Sequence, residues 1–164
     1  MQPDHFKFTE ISYDQIIKKA RTTKANMGGC ATAMPGKLYK KSIEILADVI
    51  AMLFTQCLLE GVYPTEFKSA VITPLHKKGD RRDANNYRPI SSVPYLAKLL
   101  ESLVNDQINT YLENLEFTHP YQFGFRKRSN TCLALTQLQK YITEQWEQKK
   151  MVVAIFLDVE KAFD

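Results

Sequence analysis

A single carboxylate follows the longest fully apolar run of the chain. Asp158 comes directly after Met151 to Leu157 (MVVAIFL), whose β-branched content predicts a strand buried on both faces. A carboxylate at the end of such a strand is costly to bury unless it meets water, a partner or a metal cation. Open α/β sheets also gather ligand sites at the carboxyl ends of their strands. Asp158 is therefore a candidate functional residue, and the alternative is that it caps a helix beginning at Glu160.

A basic run between positions 77 and 88 is the second candidate. Two carboxylates, Asp80 and Asp83, stand there among five cations, which are Lys77, Lys78, Arg81, Arg82 and Arg88. Because Gly79 and Asp80 favour a turn, the adjoining strand predicts a hairpin tip whose cations face a polyphosphate or a nucleic-acid backbone. The alternative is a solvated surface loop.

Arg88 has a more restricted environment than the other cations. It precedes Pro89 and follows Tyr87, so its backbone is predicted to be extended and its side chain to have a semi-fixed direction. The planar guanidinium fork suits phosphate. The alternative interpretation is an arginine that stacks on Tyr87 or pairs with Asp83.

The segment QFGFRKR alternates aromatic residues with glycine and cations. Such a composition can stack on bases and clamp a nucleic-acid strand. The alternative is a hydrophobic plug with a solvated basic edge. The candidate nucleic-acid contacts here are Gln122, Phe123, Gly124, Arg126, Lys127 and Arg128.

Helices are predicted before and between these segments. Ser12 and Gln15 have capping-box spacing, which starts a short basic helix ending near the glycine pair at 28 and 29. A second helix is predicted from about Leu38 to Glu60, with Gly61 as its stop. Its buried face is predicted to consist of Leu46, Val49, Ile50, Leu53 and Cys57.

A β-rich stretch, Phe67 to Leu75, and two more helices follow. The third helix is predicted from near Ser92 to about Leu115, and the fourth begins at Asn130, a good N-cap. The predicted buried positions of the third helix are Leu96, Leu99, Leu100, Leu103, Ile108 and Leu112. Those of the fourth are Leu135, Leu138, Ile142 and Trp146.

The overall composition predicts an ordinary globular domain. The chain has 164 residues, 45% hydrophobic and 24% charged, which argues against disorder, collagen-like repeats and a coiled coil. A net charge of +4 permits an anionic partner. Three cysteines without CxxC spacing support neither a disulfide framework nor a zinc knuckle.

Compartment and completeness also follow from the sequence as expectations. The cysteine usage predicts a reducing, intracellular location, with nucleus and cytoplasm not separated. The first ten residues lack a signal-peptide pattern, and no membrane partner is predicted. The chain stops at Asp164, directly after a predicted buried strand, which predicts a fragment of a larger protein.

Four segments, taken in order, carry a recognisable pattern. They are FKSAVITPLHKKGDRRDANNYRPIS, KLLESLVNDQINTYLE, YQFGFRKRSNT and FLDVEKAFD. Together they resemble the N-terminal half of the reverse transcriptases of non-LTR retrotransposons, of the jockey-like kind. The resemblance covers about Phe67 to Asp164 at similar spacing. It favours the catalytic interpretation of Asp158 and the phosphate-binding interpretation of Arg88.

The resemblance implies a fold and a set of partners. The fold would be α+β, a partial right-hand polymerase with fingers and the first palm strand. Residues 1–66 would form a helical N-terminal extension, 67–150 the fingers, and 151–164 the first palm strand and the start of a helix. The activity implied is copying RNA into DNA from an RNA template, a DNA primer and deoxynucleoside triphosphates, with two Mg²⁺ ions.

The resemblance also assigns residue roles. Asp158 matches the first catalytic aspartate, and the carbonyl of Val159 matches an auxiliary metal ligand. Phe163 matches the bulky residue that excludes a ribose 2′-hydroxyl. Lys77 or Lys78, together with Arg88, match the fingers cations that hold the triphosphate.

One element of the family is absent from these 164 residues. An aromatic-x-Asp-Asp motif, the second catalytic element, does not occur in the sequence, and Asp164 lies too close to Asp158 to replace it. The chain alone is therefore predicted to be inactive, since one carboxylate cannot hold two cations. Two other functions remain as alternatives: a non-catalytic nucleic-acid-binding remnant and a helical interaction domain.

Overall fold

The structure, a computed structural model, describes residues 5–25 and 34–159. Within them the chain is helix-rich with a small two-stranded antiparallel sheet. The elements in chain order are α1 (Tyr13–Thr22), α2 (Gly36–Glu60), a 3-10 turn (Thr65–Lys68), β1 (Val71–His76), a 3-10 turn (Ala84–Asn86), β2 (Tyr87–Ser92), α3 (Tyr95–Asn114) and α4 (Thr131–Glu147).

Helix α1 begins as the capping-box spacing predicts. The Gln15 amide donates to Ser12 Oγ at 3.3 Å, and the Ser12 amide donates to Gln15 Oε1 at 2.9 Å. The helix ends at Thr22, earlier than predicted, because the hydroxyls of Thr22 and Thr23 both donate to the carbonyl of Lys19. Such local side-chain bonds compete with helix continuation. The glycine pair at 28 and 29 lies outside the described residues.

Helix α2 has the predicted stop and a different buried face. Gly61 adopts the left-handed conformation (φ 66°), and its amide donates to the carbonyl of Cys57. Ile50 and Cys57 are buried as predicted, whereas Val49 and Leu53 are 65% and 44% exposed, so that part of the prediction is wrong. The buried positions are Ile43, Ala47, Ile50, Ala51, Phe54 and Cys57.

The reason for this difference is that α2 is apolar on most of its circumference. Hydrophobic spacing selects a buried face only when the opposite face is polar. In α2 the face is chosen by contact with α1 and α3. By length and composition α2 also passes as a candidate membrane-spanning helix, a property that core helices of soluble proteins share. The expected absence of a membrane partner stays a prediction.

Helices α1, α2 and α3 share one hydrophobic core. Leu99, Leu100 and Leu103 of α3 are buried as predicted, whereas Ile108 is 38% exposed and its predicted burial is wrong. The Tyr95 hydroxyl donates to the carbonyl of Ala20 at 3.2 Å inside this core. Because that hydroxyl stays bonded while buried, α3 is fixed to the end of α1 without an unpaired polar group.

The β-rich stretch begins as a turn. Phe67 lies in the 3-10 turn and is buried, with its ring centroid 6.4 Å from that of Phe54, and β1 starts only at Val71. Strand β1 pairs with β2, and Pro74 lies opposite Pro89. Prolines are tolerated there because a two-stranded sheet has only edge strands.

Helix α4 begins at the predicted cap, but its predicted burial is wrong. Asn130 Oδ1 accepts from the amide of Leu133 at 2.9 Å. However, Leu135 is 65% exposed, Trp146 is 66% exposed, and no residue of α4 is buried. The apolar stripe has the right period, but no other element of residues 116–159 covers it.

The predicted buried strand after α4 is not formed. Residues 151–159 have no regular secondary structure, and Leu157 is 92% exposed. A buried strand needs hydrogen-bonded neighbours on both sides. The described residues 116–159, the unit to which this segment belongs, contain no strand that could supply them.

The chain divides into two units, residues 1–115 and residues 116–164. The first unit contains α1, α2, the hairpin and α3, and the second contains α4 and the segment that follows it. The predicted domain boundaries after residues 66 and 150 stay predictions.

Candidate functional site

The basic loop is held by a β-hairpin, as the sequence predicts. Leu75 pairs with Arg88, and His76 pairs with Tyr87. The Lys77 amide donates to the carbonyl of Asn86 at 2.8 Å, which extends the ladder by one step. The loop from 77 to 86 is therefore closed at its base by regular antiparallel hydrogen bonds.

The hairpin register places two of the predicted phosphate ligands on the same side. Side chains alternate along each strand, and directly opposed residues share a face. Arg88 shares its face with Leu75, and continuing the alternation by one step places Lys77 on that face as well. The compact ammonium of Lys77 and the planar guanidinium of Arg88 thus flank one surface of the hairpin.

Gly79 is required by the turn at the tip of the loop. Its φ is +85°, and a Cβ there would lie 2.8 Å from Nδ2 of Asn86. The same Nδ2 donates to the carbonyl of Asp80 at 2.9 Å, while His76 Nε2 lies 3.2 Å from the carbonyl of Gly79. A side chain at position 79 would displace the amide that holds the tip closed.

The two carboxylates of the loop bind backbone amides. Asp80 Oδ1 accepts from the amide of Arg82 at 2.9 Å, and Asp83 Oδ1 accepts from the amide of Asn85 at 2.9 Å. The Tyr87 hydroxyl donates to the carbonyl of Arg81 at 2.9 Å. The sequence analysis did not predict these hydrogen bonds, although aspartate side chains in turns commonly bind the backbone amide two residues on.

The cations of the loop are consequently exposed and unengaged. Within residues 5–25 and 34–159, no ion pair or hydrogen bond involves the side chain of Lys77, Lys78, Arg81, Arg82 or Arg88. The pairing of Arg88 with Asp83, one of the alternatives, is not present, since Asp83 caps the 3-10 turn. Five cations against two carboxylates give the loop a net positive charge, which makes it a candidate surface for phosphate groups.

The second basic segment forms a series of turns. The Gln122 amide donates to the carbonyl of His119 at 3.0 Å, and the Ser129 amide donates to that of Arg126 at 3.3 Å. Phe123 is half-buried, whereas Phe125 is 99% exposed. Phe125 therefore does not act as a plug in this structure. The side chains of Arg126, Lys127 and Arg128 are exposed.

The candidate metal ligand lies in a segment without regular secondary structure. Asp158 and Val159 are exposed in the irregular segment 151–159, and Phe163 lies outside the described residues. In the described part of the chain, no three His, Cys, Asp or Glu side chains form a group that could hold a metal ion. Magnesium in proteins takes oxygen ligands from one or two carboxylates and from substrate phosphates. The carboxylate of Asp158 by itself would not make a complete site.

Buried ionisable groups belong to the helical core and not to the hairpin. Burial raises the pKa of Tyr63, whose hydroxyl donates to Glu101 Oε1 at 2.8 Å, and burial also raises the pKa of Tyr95. These groups stay neutral and structural. The chemistry of the hairpin therefore depends on the number and exposure of its cations.

A family model described as reverse transcriptase (RNA-dependent DNA polymerase) matches residues 75–164. The match begins in β1, covers the basic loop, and extends through Asp158, so it includes more than half of the chain.

Individual relatives extend the similarity toward the N-terminus. The RNA-directed DNA polymerase from mobile element jockey of Drosophila melanogaster is 34% identical over 137 residues, 79% of this chain and 15% of the relative. The jockey enzyme of Drosophila funebris is 32% identical over 157 residues, 92% of this chain and 16% of the relative. The Pol polyprotein from type-1 retrotransposable element R1 of Bradysia coprophila is 27% identical over 157 residues.

The chain spans about 15% of the length of these curated relatives. The family match covers most of the residues that carry the sequence resemblance, and the relatives reach into α1 and α2. The chain belongs to the reverse transcriptase family and is homologous to the RNA-directed DNA polymerases of non-LTR retrotransposons.

Proposed function

We propose that this chain forms the fingers and the first palm strand of an RNA-directed DNA polymerase that copies a retrotransposon RNA into DNA. In this proposal residues 67–150 are the fingers, and the hairpin loop holds the triphosphate of the incoming deoxynucleotide. The observation that carries the proposal is the set of unpaired loop cations, with Lys77 and Arg88 on one face of the hairpin. One point charge and one bidentate fork match the charge and geometry of a polyphosphate.

The template and primer contacts are assigned to the remaining cations. Arg81 and Arg82 lie exposed at the hairpin tip, and the segment 122–128 adds three cations and an exposed aromatic ring. Basic side chains neutralise phosphates, and aromatic faces stack on bases without reading sequence. We infer that these groups hold the RNA template and the DNA primer.

Asp158 is proposed as one carboxylate of the metal site used in polymerisation. Divalent cations, when bound, stabilise the charge that develops as a nucleotide is transferred. Asp158 contributes an anionic oxygen, the Val159 carbonyl contributes a neutral one, and Phe163 restricts the space at the sugar. Segment 151–157 becomes a strand when neighbouring palm strands pair with it, and this brings Asp158 to the edge of a sheet.

The aromatic-x-Asp-Asp element is absent from the 164 residues, so the isolated chain should not extend a primer. We expect no incorporation of deoxynucleotides on an RNA template with Mg²⁺ or Mn²⁺. Measurable primer extension by a pure preparation would contradict the proposal that catalysis requires the aromatic-x-Asp-Asp element in addition to Asp158.

The binding role is tested on the full 164-residue chain. We compare Lys77→Ala/Lys78→Ala/Arg88→Ala with the control Lys18→Ala/Lys24→Ala/Lys68→Ala, which removes the same charge from exposed positions outside the hairpin. Fluorescence anisotropy with a labelled deoxynucleoside triphosphate should show salt-sensitive binding that is weaker for the hairpin variant than for the control variant. Equal losses of affinity in the two variants would indicate that the hairpin cations contribute no more than other exposed cations of the chain.

Catalysis by Asp158 is tested in a complete polymerase that carries this segment. Asp158→Asn keeps the size of the side chain and removes its charge, so the variant should bind template and lose about 10²-fold or more in rate. A helix cap would tolerate the same change, because asparagine caps about as well as aspartate. A primer-extension rate within a few-fold of the parent would therefore favour the structural role.

A further inference from the structure

The face of α2 that points away from the core is apolar. Ile45, Val49, Met52 and Leu59 are 65–83% exposed, and Leu53 borders them at 44%. These side chains lie opposite the buried face of the same helix, since a turn of 3.6 residues places them about half a turn from Ile43, Ala47, Ile50 and Phe54. A soluble protein seldom leaves so continuous an apolar surface without a partner.

The spacing of the exposed face is that of a two-helix seam. Positions 45, 49, 52, 56 and 59 alternate steps of four and three residues, and all are apolar except Gln56. This alternation is the heptad pattern by which one helix packs along another. A single polar residue within such a seam fixes the register of the pair. We call positions 45, 49, 52, 56 and 59 the α2 seam.

The charges at the two ends of α2 favour one orientation of a pair. The first two turns of α2 carry Lys37, Lys40 and Lys41 and no acidic residue, and Glu44 and Asp48 follow in the next two turns. Glu60 lies at its end, and its last turn has no basic residue. Two antiparallel copies bring the basic beginning of each helix to the acidic end of the other and oppose the helix dipoles. Parallel copies would place like charges together.

We propose that the chain self-associates through the α2 seam of two antiparallel copies. Each Val49 then lies opposite Met52 of the second copy, and each Ile45 lies opposite Gln56 of the second copy. The seam rises about 21 Å along the helix, so the interface is small and the dimer is a weak one that forms at micromolar concentrations. This inference is independent of the polymerase function, because α2 contributes no residue to the basic hairpin.

Sedimentation of the full chain tests the association. Between about 1 and 100 µM the parent should shift from monomer to dimer, and Val49→Glu/Met52→Glu should weaken the dimer roughly tenfold or more. The control Val62→Glu/Ile72→Glu introduces the same charges at exposed apolar positions outside the seam and should dimerise like the parent. Circular dichroism checks that both variants keep their helices, which is expected because the four side chains are exposed.

Cross-linking tests the orientation. In a Cys30→Ser/Cys132→Ser background, an Ile45→Cys chain mixed with a Gln56→Cys chain should form the mixed disulfide in preference to either symmetric one. Cys57 remains in place because it is buried. Preferential symmetric disulfides would overturn the antiparallel arrangement.

Three results would overturn the proposal as a whole. One is a parent chain that stays monomeric at about 100 µM. Another is a dimer that the Val49→Glu/Met52→Glu change leaves intact. The third is a chain that remains monomeric in solution and sediments with neutral phosphatidylcholine vesicles in a seam-dependent manner, which would assign the seam to a lipid surface.

Discussion

Residues 1–115 and residues 116–164 both contain amphipathic helices, yet they bury them to different extents. Within the described residues, all sixteen members of the hydrophobic core lie in the first unit, between Ile11 and Leu103. Among described residues 116–159 there is no buried residue, although α4 has seventeen residues and a proper cap. An apolar stripe with the correct period is thus insufficient for a core. A second element must cover it, and α1, α2 and α3 do this for one another.

Separating the two units should produce the largest effect. Residues 1–115 expressed alone should unfold in one cooperative thermal transition, because they retain the whole core. Residues 116–164 alone should show a broad, non-cooperative loss of helix, since a single helix without packing is marginal in water. Circular dichroism and hydrogen exchange measure both. A cooperative transition in residues 116–164 would contradict the expected difference between the two units.

A large-to-small substitution in each unit sharpens the same contrast. Phe54 is fully buried in the shared core, and Phe54→Ala should cost about 3–5 kcal/mol of unfolding free energy. Trp146 is 66% exposed, and Trp146→Ala should change that free energy by about 0.5 kcal/mol or less. Denaturant titration of the two variants gives both values. Similar costs would indicate that Trp146 is packed in solution.

Two substitutions, Gly79→Ala and Gly124→Ala, test whether the hairpin depends on its turn. Gly79→Ala should cost about 1–2 kcal/mol, because position 79 has positive φ and the new Cβ would contact Asn86. Gly124→Ala, where a Cβ meets nothing within 4 Å, should be neutral or slightly stabilising. The core of the first unit should stay folded in both variants. Anisotropy should show weaker nucleic-acid binding for Gly79→Ala than for the parent chain.

The smallest effect is expected for two helix N-caps, Ser12 and Asn130, each of which accepts a hydrogen bond from a backbone amide in the first turn of its helix. Ser12→Ala should lower the stability of the first unit by about 1 kcal/mol, since α1 is part of its core. Asn130→Ala removes an equivalent bond and should reduce only the helicity of α4, leaving the cooperative transition unchanged. Melting temperatures together with residue-level exchange in α4 distinguish the two. If Asn130→Ala shifted the main thermal transition, α4 would have to unfold together with the core, contrary to this prediction.

Local features of the fold were largely predictable from the sequence. The capping box at Ser12, the left-handed stop at Gly61, the cap at Asn130 and the hairpin around Gly79 are each decided by a few neighbouring residues. Their bonds span four residues or fewer, or close a short loop, and so depend little on the remainder of the chain. The family assignment was predictable for the same reason, because its motifs are short and ordered.

Burial was predicted less well, and α2 shows why. Its sequence is apolar on both faces, so periodicity favoured Val49 and Leu53 while the structure buries Ala47 and Phe54. A short side chain such as Ala47 becomes a core residue only where another helix approaches closely. That approach is set by how α1 and α3 pack, which the spacing of residues along α2 does not contain.

The sequence by itself determined where helices begin, where the loop turns and which residue types stand in the basic hairpin, because these depend on bonds between near neighbours. Tertiary structure alone decided which face of α2 is buried and that MVVAIFL stays unpaired. A strand forms only where neighbouring strands pair with it, since its backbone amides and carbonyls need hydrogen-bond partners from elsewhere in the fold.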